Sequence, residues 1–107
     1  MSVESAFQPK RGANQKVTAS TTAALIAIGL GSKSIRVLNQ GAVVVYFTTY
    51  KASDETRVCT NAETPVGPAG AASSTLIIEK PQDHDTISYL SDSATSVVHF
   101  QPGEGGG

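Results

Sequence analysis

Short runs of apolar, β-branched and aromatic residues alternate along the chain with clusters of Gly, Pro, Asn, Asp and Ser. That rhythm predicts strands joined by turns. The clearest run is Ala42 to Tyr50, with Val43, Val45, Phe47 and Thr49 on one face and Val44, Tyr46, Thr48 and Tyr50 on the other. Both sets are bulky, so this strand should lie centrally or cover an interface with its second face. Ser34 to Asn39 sets Ile35 and Val37 against Arg36 and Leu38. Asn39-Gln40-Gly41 between the two runs reads as a tight turn, with Gly41 free to take a positive φ. Gln15 to Ser20 is a shorter strand around Val17 and Thr18.

Thr22 to Ile28 is ambiguous, since its Ala-Ala-Leu-Ile-Ala-Ile core could begin a helix. Gly29 and Gly31 stop it within little more than a turn, too short for a stable helix, and a strand is the better reading. Thr56 to Thr60, holding Val58 and Cys59, is expected as a short strand. Ala62 to Gly70, AETPVGPAG, combines prolines with glycines and reads as a long ordered loop or crossover with no regular ladder. Ser74 to Lys80, Thr86 to Leu90 and Thr95 to Gln101 alternate as three closing strands, and their connectors PQDHD and SDSA are rich in turn formers. The sum is about seven or eight strands, enough for two packed sheets.

The ends differ from this body. Residues 1–14 are polar and aperiodic and read as an extended arm, and PGEGGG at 102–107 reads as a flexible tail. The expected organisation is therefore an arm at 1–14, one all-β sandwich domain at 15–101, and a tail. A length of 107 residues fits a single domain able to bury a modest core without metal or disulfide.

Charge and chemistry narrow the function by exclusion. Net charge is −1, and the one dense basic cluster, Lys10-Arg11 with Lys16 nearby, is too small for phosphate-driven binding, so no nucleic-acid partner is expected. The first residues contain no apolar core of signal-peptide length, and the most apolar stretch, Ala23 to Leu30, cannot span a bilayer; no membrane partner is expected. Cys59 is the single cysteine and reads as a buried apolar residue. Asp83-His84-Asp85 holds metal-ligating groups, but adjacent residues on a turn rarely converge on one ion, and a solvated turn is the simpler account. No serine lies in GxSxG, and Gly29-Leu30-Gly31-Ser32 lacks both the dinucleotide and the Walker spacing. The chain is expected to be no enzyme and to need no cofactor. Tyr46 and Tyr50 share a face and suit either core or interface, since tyrosine brings area and a polar tip.

The order of motifs adds a resemblance. GSKSIRVLNQGAVVVYF (Ile35 to Phe47 being the matching part), then Thr64 to Gly70, then Pro102 to Gly105 after the terminal strand, resembles small capsid cement or decoration proteins of tailed bacteriophages with a jelly-roll body. The likeness runs over residues 15–106 and rests on strand and turn patterns. It implies a structural protein on the capsid exterior, made in the host bacterial cytoplasm and bound to the major capsid protein. It also implies self-association, as a dimer or trimer. The contact residues it suggests are Phe7, Lys10 and Arg11 on the arm, Tyr46 and Tyr50 on the central strand, and Pro65, Val66 and Pro68 in the Pro/Gly loop. Two other readings share the pattern: a neck, tail or fibre module of a virion, and a carbohydrate- or ligand-binding β-sandwich, against which the lack of tryptophan speaks.

Overall fold

The computed structural model describes residues 8–29 and 31–104, and they form two antiparallel β-sheets packed face to face. The strands are β1 (Gln8–Pro9), β2 (Gln15–Ala19), β3 (Ala24–Ala27), β4 (Ser34–Asn39), β5 (Val45–Tyr50), β6 (Thr64–Val66), β7 (Thr75–Glu79), β8 (Thr86–Ser91) and β9 (Ser96–Glu104). A 3-10 turn, Ala72–Ser74, precedes β7. One sheet runs β1-β9-β4-β7, with β2 also on β9 beside β1; the other runs β3-β8-β5-β6. The chain crosses between sheets at every connection from β2 to β9 except β5 to β6.

Alternation explains the core. Val17, Ile35, Val37, Leu76, Ile78, Val98 and Phe100 turn inward from the first sheet, and Ile26, Val45, Phe47, Ile87 and Tyr89 from the second. Phe100 joins the layers, its ring 5.9 Å from Phe47 and 5.6 Å from Tyr89, both tilted as aromatic quadrupoles prefer.

The segment expected as ambiguous between helix and strand is the strand β3. Four expectations need correction. Residues 39–41, expected as a tight turn between two runs, do not join neighbouring strands, because β4 and β5 lie in different sheets. Gly41 does not use a positive φ; a Cβ there would sit 1.7 Å from Ser96 Oγ, so close approach is what demands glycine. Thr56 to Thr60 is not a strand, whereas Thr64–Val66 inside the Pro/Gly segment is one. The latter pairs with β5 at the sheet margin, where Pro65 can sit.

The fourth concerns the ends. Pro102–Glu104 do not belong to a tail; they continue β9 between β1 and β4. A proline is tolerated there because β2 stops pairing at Phe100 and β1 resumes at Gly103. The missing N–H falls in that gap. The Gln101 amide fills it, donating to Lys10 O and Pro102 O at 2.9 Å each. Residues 8–14 of the expected arm are therefore docked on β9, while residues 1–7 and 105–107 lie outside the described residues.

Each end of the sandwich is tied by one polar side chain. At one, buried Asn39 donates through Nδ2 to Val43 O (2.7 Å), Gly67 O (3.0 Å) and, at 3.4 Å, Val66 O. Its Oδ1 accepts from the Gly41 amide (3.0 Å) and the Ser96 hydroxyl (2.6 Å). At the other, the Lys80 ammonium donates to Ser32 O (2.6 Å), His84 O (2.9 Å) and Pro81 O (3.3 Å).

Asn39→Asp keeps size but turns a donor into an acceptor aimed at carbonyls. At about 1–3 kcal/mol for each buried group left unpaired, the substitution should cost about 3 kcal/mol or more. Urea unfolding of the two proteins measures it; a loss below about 1 kcal/mol would remove Asn39 from this role.

Candidate partner-contact surfaces

The outward face of the second sheet is built in rows. Tyr50 stands opposite Thr86; Thr48 opposite Ser88, which pairs in turn with Leu25; and Tyr46 opposite both Leu90 and Pro65. The β5–β6 connection crosses this face. The Cys59 amide donates to the Ser88 hydroxyl at 2.9 Å, which pins the loop to the middle row. Asp54 and Glu55 amides both donate to Lys51 O, and Arg57 reaches Glu55 (3.3 Å) and Glu63 (4.0 Å). Those exposed ion pairs shape the loop more than they stabilise it.

This covering sorts the expected contact residues. Tyr50, expected at a partner contact, is only 2 % exposed on the side where the loop lies. Val66 is 0 % exposed and belongs to the core. Neither presents surface. Tyr46 is half-buried beside exposed Pro65, so these two remain together on an accessible strip. Pro68 is half-buried at the Asn39 end, next to the Ala69 amide that donates to Gly41 O. Lys10 and Arg11 are exposed at the turn between β1 and β2, on the margin of the first sheet. Phe7 lies outside the described residues.

A second surface was not singled out from sequence. The outward face of the first sheet holds a shallow depression of about 320 Å³ lined by Asn14, Arg36, Leu38, Gln40, His99 and Gln101. The register sets Leu38 opposite His99 and Arg36 opposite Gln101, and alternation alone turns all four outward. Asn14 Nδ2 donates to His99 Nδ1 (2.9 Å), and His99 Nε2–H donates to Gln40 Oε1 (2.8 Å). The two amides hold the ring of His99 in one orientation. The signal available in the sequence was the outward alternation of β4 and β9; the missing piece was which strands are neighbours.

Asp83-His84-Asp85 forms no metal cluster among the described residues. His84 pairs with the Thr49 hydroxyl at 2.9 Å, and Asp85 accepts from the Ala52 amide and the Thr86 hydroxyl at 3.0 Å each. The Asp85 carboxyl is held below its ordinary value by the Ala52 amide first and the Thr86 hydroxyl second. Burial lowers the Lys80 ammonium, and the carboxylates of Glu104, Asp83 and Asp85 partly restore it. Burial pushes the Cys59 thiol up to about 11, aided by the Glu63 charge. No helix among the described residues is long and apolar enough to cross a membrane. Comparisons with family models, with curated proteins and with solved structures give no match.

Two expectations follow. The Cys59 thiol should react with Ellman's reagent at pH 8 only on the timescale of unfolding, and promptly in denaturant; rapid reaction of the folded chain would contradict its burial. Because the Asp85 pKa is lower folded than unfolded, its contribution is present above the unfolded value of 3.8 and is lost as pH falls through the folded one. The thermal midpoint should therefore drop on acidification below about pH 4, and Asp85→Asn should flatten that drop, as calorimetry across pH would show.

Proposed function

We propose that this chain is a jelly-roll structural protein of a tailed-phage virion that binds the capsid exterior and cements contacts between major capsid protein subunits, without catalysis. The observation that carries the reading is the strand order, β2-β9-β4-β7 packed on β3-β8-β5-β6. Eight strands that change sheet at every connection but β5 to β6 fit the two Greek keys of a jelly roll, an architecture used in viral capsids. Fold alone assigns no function, so contact features must supply the rest. Tyr46 beside Pro65 offers an aromatic anchor on a rigid strand, and Lys10 and Arg11 offer charge at the margin of the other sheet. Weak contacts of this kind become effective when many copies act on one lattice.

A reconstruction of the virion with this chain traced tests the proposal. It expects density on the outer shell with the Tyr46 strip against the capsid protein; density on the tail, or none, rejects it. In shell-binding assays, Tyr46→Ala should weaken binding about tenfold or more, the scale of an interface anchor. Unfolding free energy of that variant should fall far less than for a core aromatic, since Tyr46 is half-buried.

One observation favours a second reading. Asn14, Gln40, Gln101, Arg36 and His99 converge on the depression of the first sheet, and jelly rolls also serve as lectins. A glycan array separates the two readings: saturable binding lost in Gln40→Ala would favour the lectin.

A further inference from the structure

We infer that the chain forms a two-fold dimer by antiparallel pairing of its β3 edge with β3 of a second copy. The inference deepens the self-association expected of a virion protein, but it does not need the capsid reading, since it is read out in solution.

Sheet margins are templates for strand addition, and proteins ordinarily guard them with charge, proline or a break. The margin formed by β1 and β2 carries Lys16 and is broken by the turn at Lys10-Arg11-Gly12, where Gly12 takes a φ of 73°. The β6 margin carries Pro65, and the β7 margin ends in Glu79. The β3 margin has none of these. It reads Ala-Leu-Ile-Ala, and no charged residue lies between Lys16 and Lys33.

The backbone of β3 is set for a further ladder. The Ile28 amide donates to Asp85 O at 2.8 Å, continuing the register in which Ala24 to Ala27 pair with Tyr89 to Thr86. Hydrogen-bonding direction alternates along an antiparallel strand. The N–H and C=O of Leu25 and Ala27 therefore point away from β8, toward the open side.

Side chains agree. Leu25 is 57 % exposed and Val58 67 % exposed, the exposed large hydrophobics among the described residues. Cys59 is held on Ser88, the cross-strand partner of Leu25, so the loop carrying Val58 is anchored on the same face one strand away from Leu25. A two-fold axis through Leu25, normal to the sheet, sets Leu25 against its own copy and Ala27 against Ala23 on the outer side. It sets Ala24 against Ile26 on the inner side. Every opposed pair is apolar, each ladder bond is made twice, and no like charges meet, which is the self-complementarity an isologous interface requires.

Sedimentation of the full chain over a concentration series tests this. The expected result is a monomer–dimer equilibrium that Leu25→Lys weakens about tenfold or more by opposing like charges, with the thermal midpoint of the monomer unchanged. Should that variant fail to fold, hydrogen exchange of the wild-type chain decides: the Leu25 and Ala27 amides should slow as concentration rises. A monomer at all concentrations to about 0.5 mM overturns the inference. So does a dimer indifferent to Leu25→Lys, or one whose concentration-dependent protection falls on Ile77 and Glu79 of the β7 margin.

Discussion

The Asn39 carboxamide holds together what the strands alone could not. Three segments meet at that end of the sandwich: the turn after β4, the exit of β6 and the start of β9. The Gln40 amide still bonds Val97 O and the Ala69 amide bonds Gly41 O, but the carbonyls of Val43 and Gly67 lie beyond any ladder and need a partner that is not a strand. One planar amide provides two donors and an acceptor with two lone pairs, the set this junction lacks. The glycines follow from it. Gly41 must lie against Ser96 and Gly67 against Ser73, whose Oγ would be 2.1 Å from an added Cβ. Among the described residues no buried side-chain polar atom is left without a partner, so the network is satisfied as well as dense.

Lys80 plays a related part at the opposite end but with a different charge balance. An ammonium set among three carbonyls bridges the β3–β4 and β7–β8 connections without a carboxylate in hydrogen-bonding range. Asparagine at one end and lysine at the other leave the middle of the sandwich to apolar packing around Phe100.

Local patterns were legible wherever local rules decide the outcome. Ser34–Asn39 is a strand with the bounds its alternation gives, and Cys59 is buried as its chemistry suggests. Non-local facts were not. Val58-Cys59 has strand-like composition, yet the Cys59 amide is taken by a serine side chain of β8, so no ladder forms. Pro102-Gly103 has the look of a terminus, yet a gap between two other strands accommodates the proline. Tyr50 lost its place at a surface to a loop whose path no periodicity encodes. The outward depression needed the β4–β9 register, which joins residues about sixty to seventy positions apart.

The place of β9 in the first sheet has a kinetic meaning. It is the last strand in the described chain, yet it lies between β1 or β2 on one side and β4 on the other. During synthesis β1, β2 and β4 emerge with β9, their common partner, still unmade, and Phe100, the ring joining the layers, comes with it. Loops of this span must be closed before any ladder rewards them. The first sheet therefore closes only after β9 has emerged, and until β8 emerges the apolar, uncharged β3 segment is without its ladder partner.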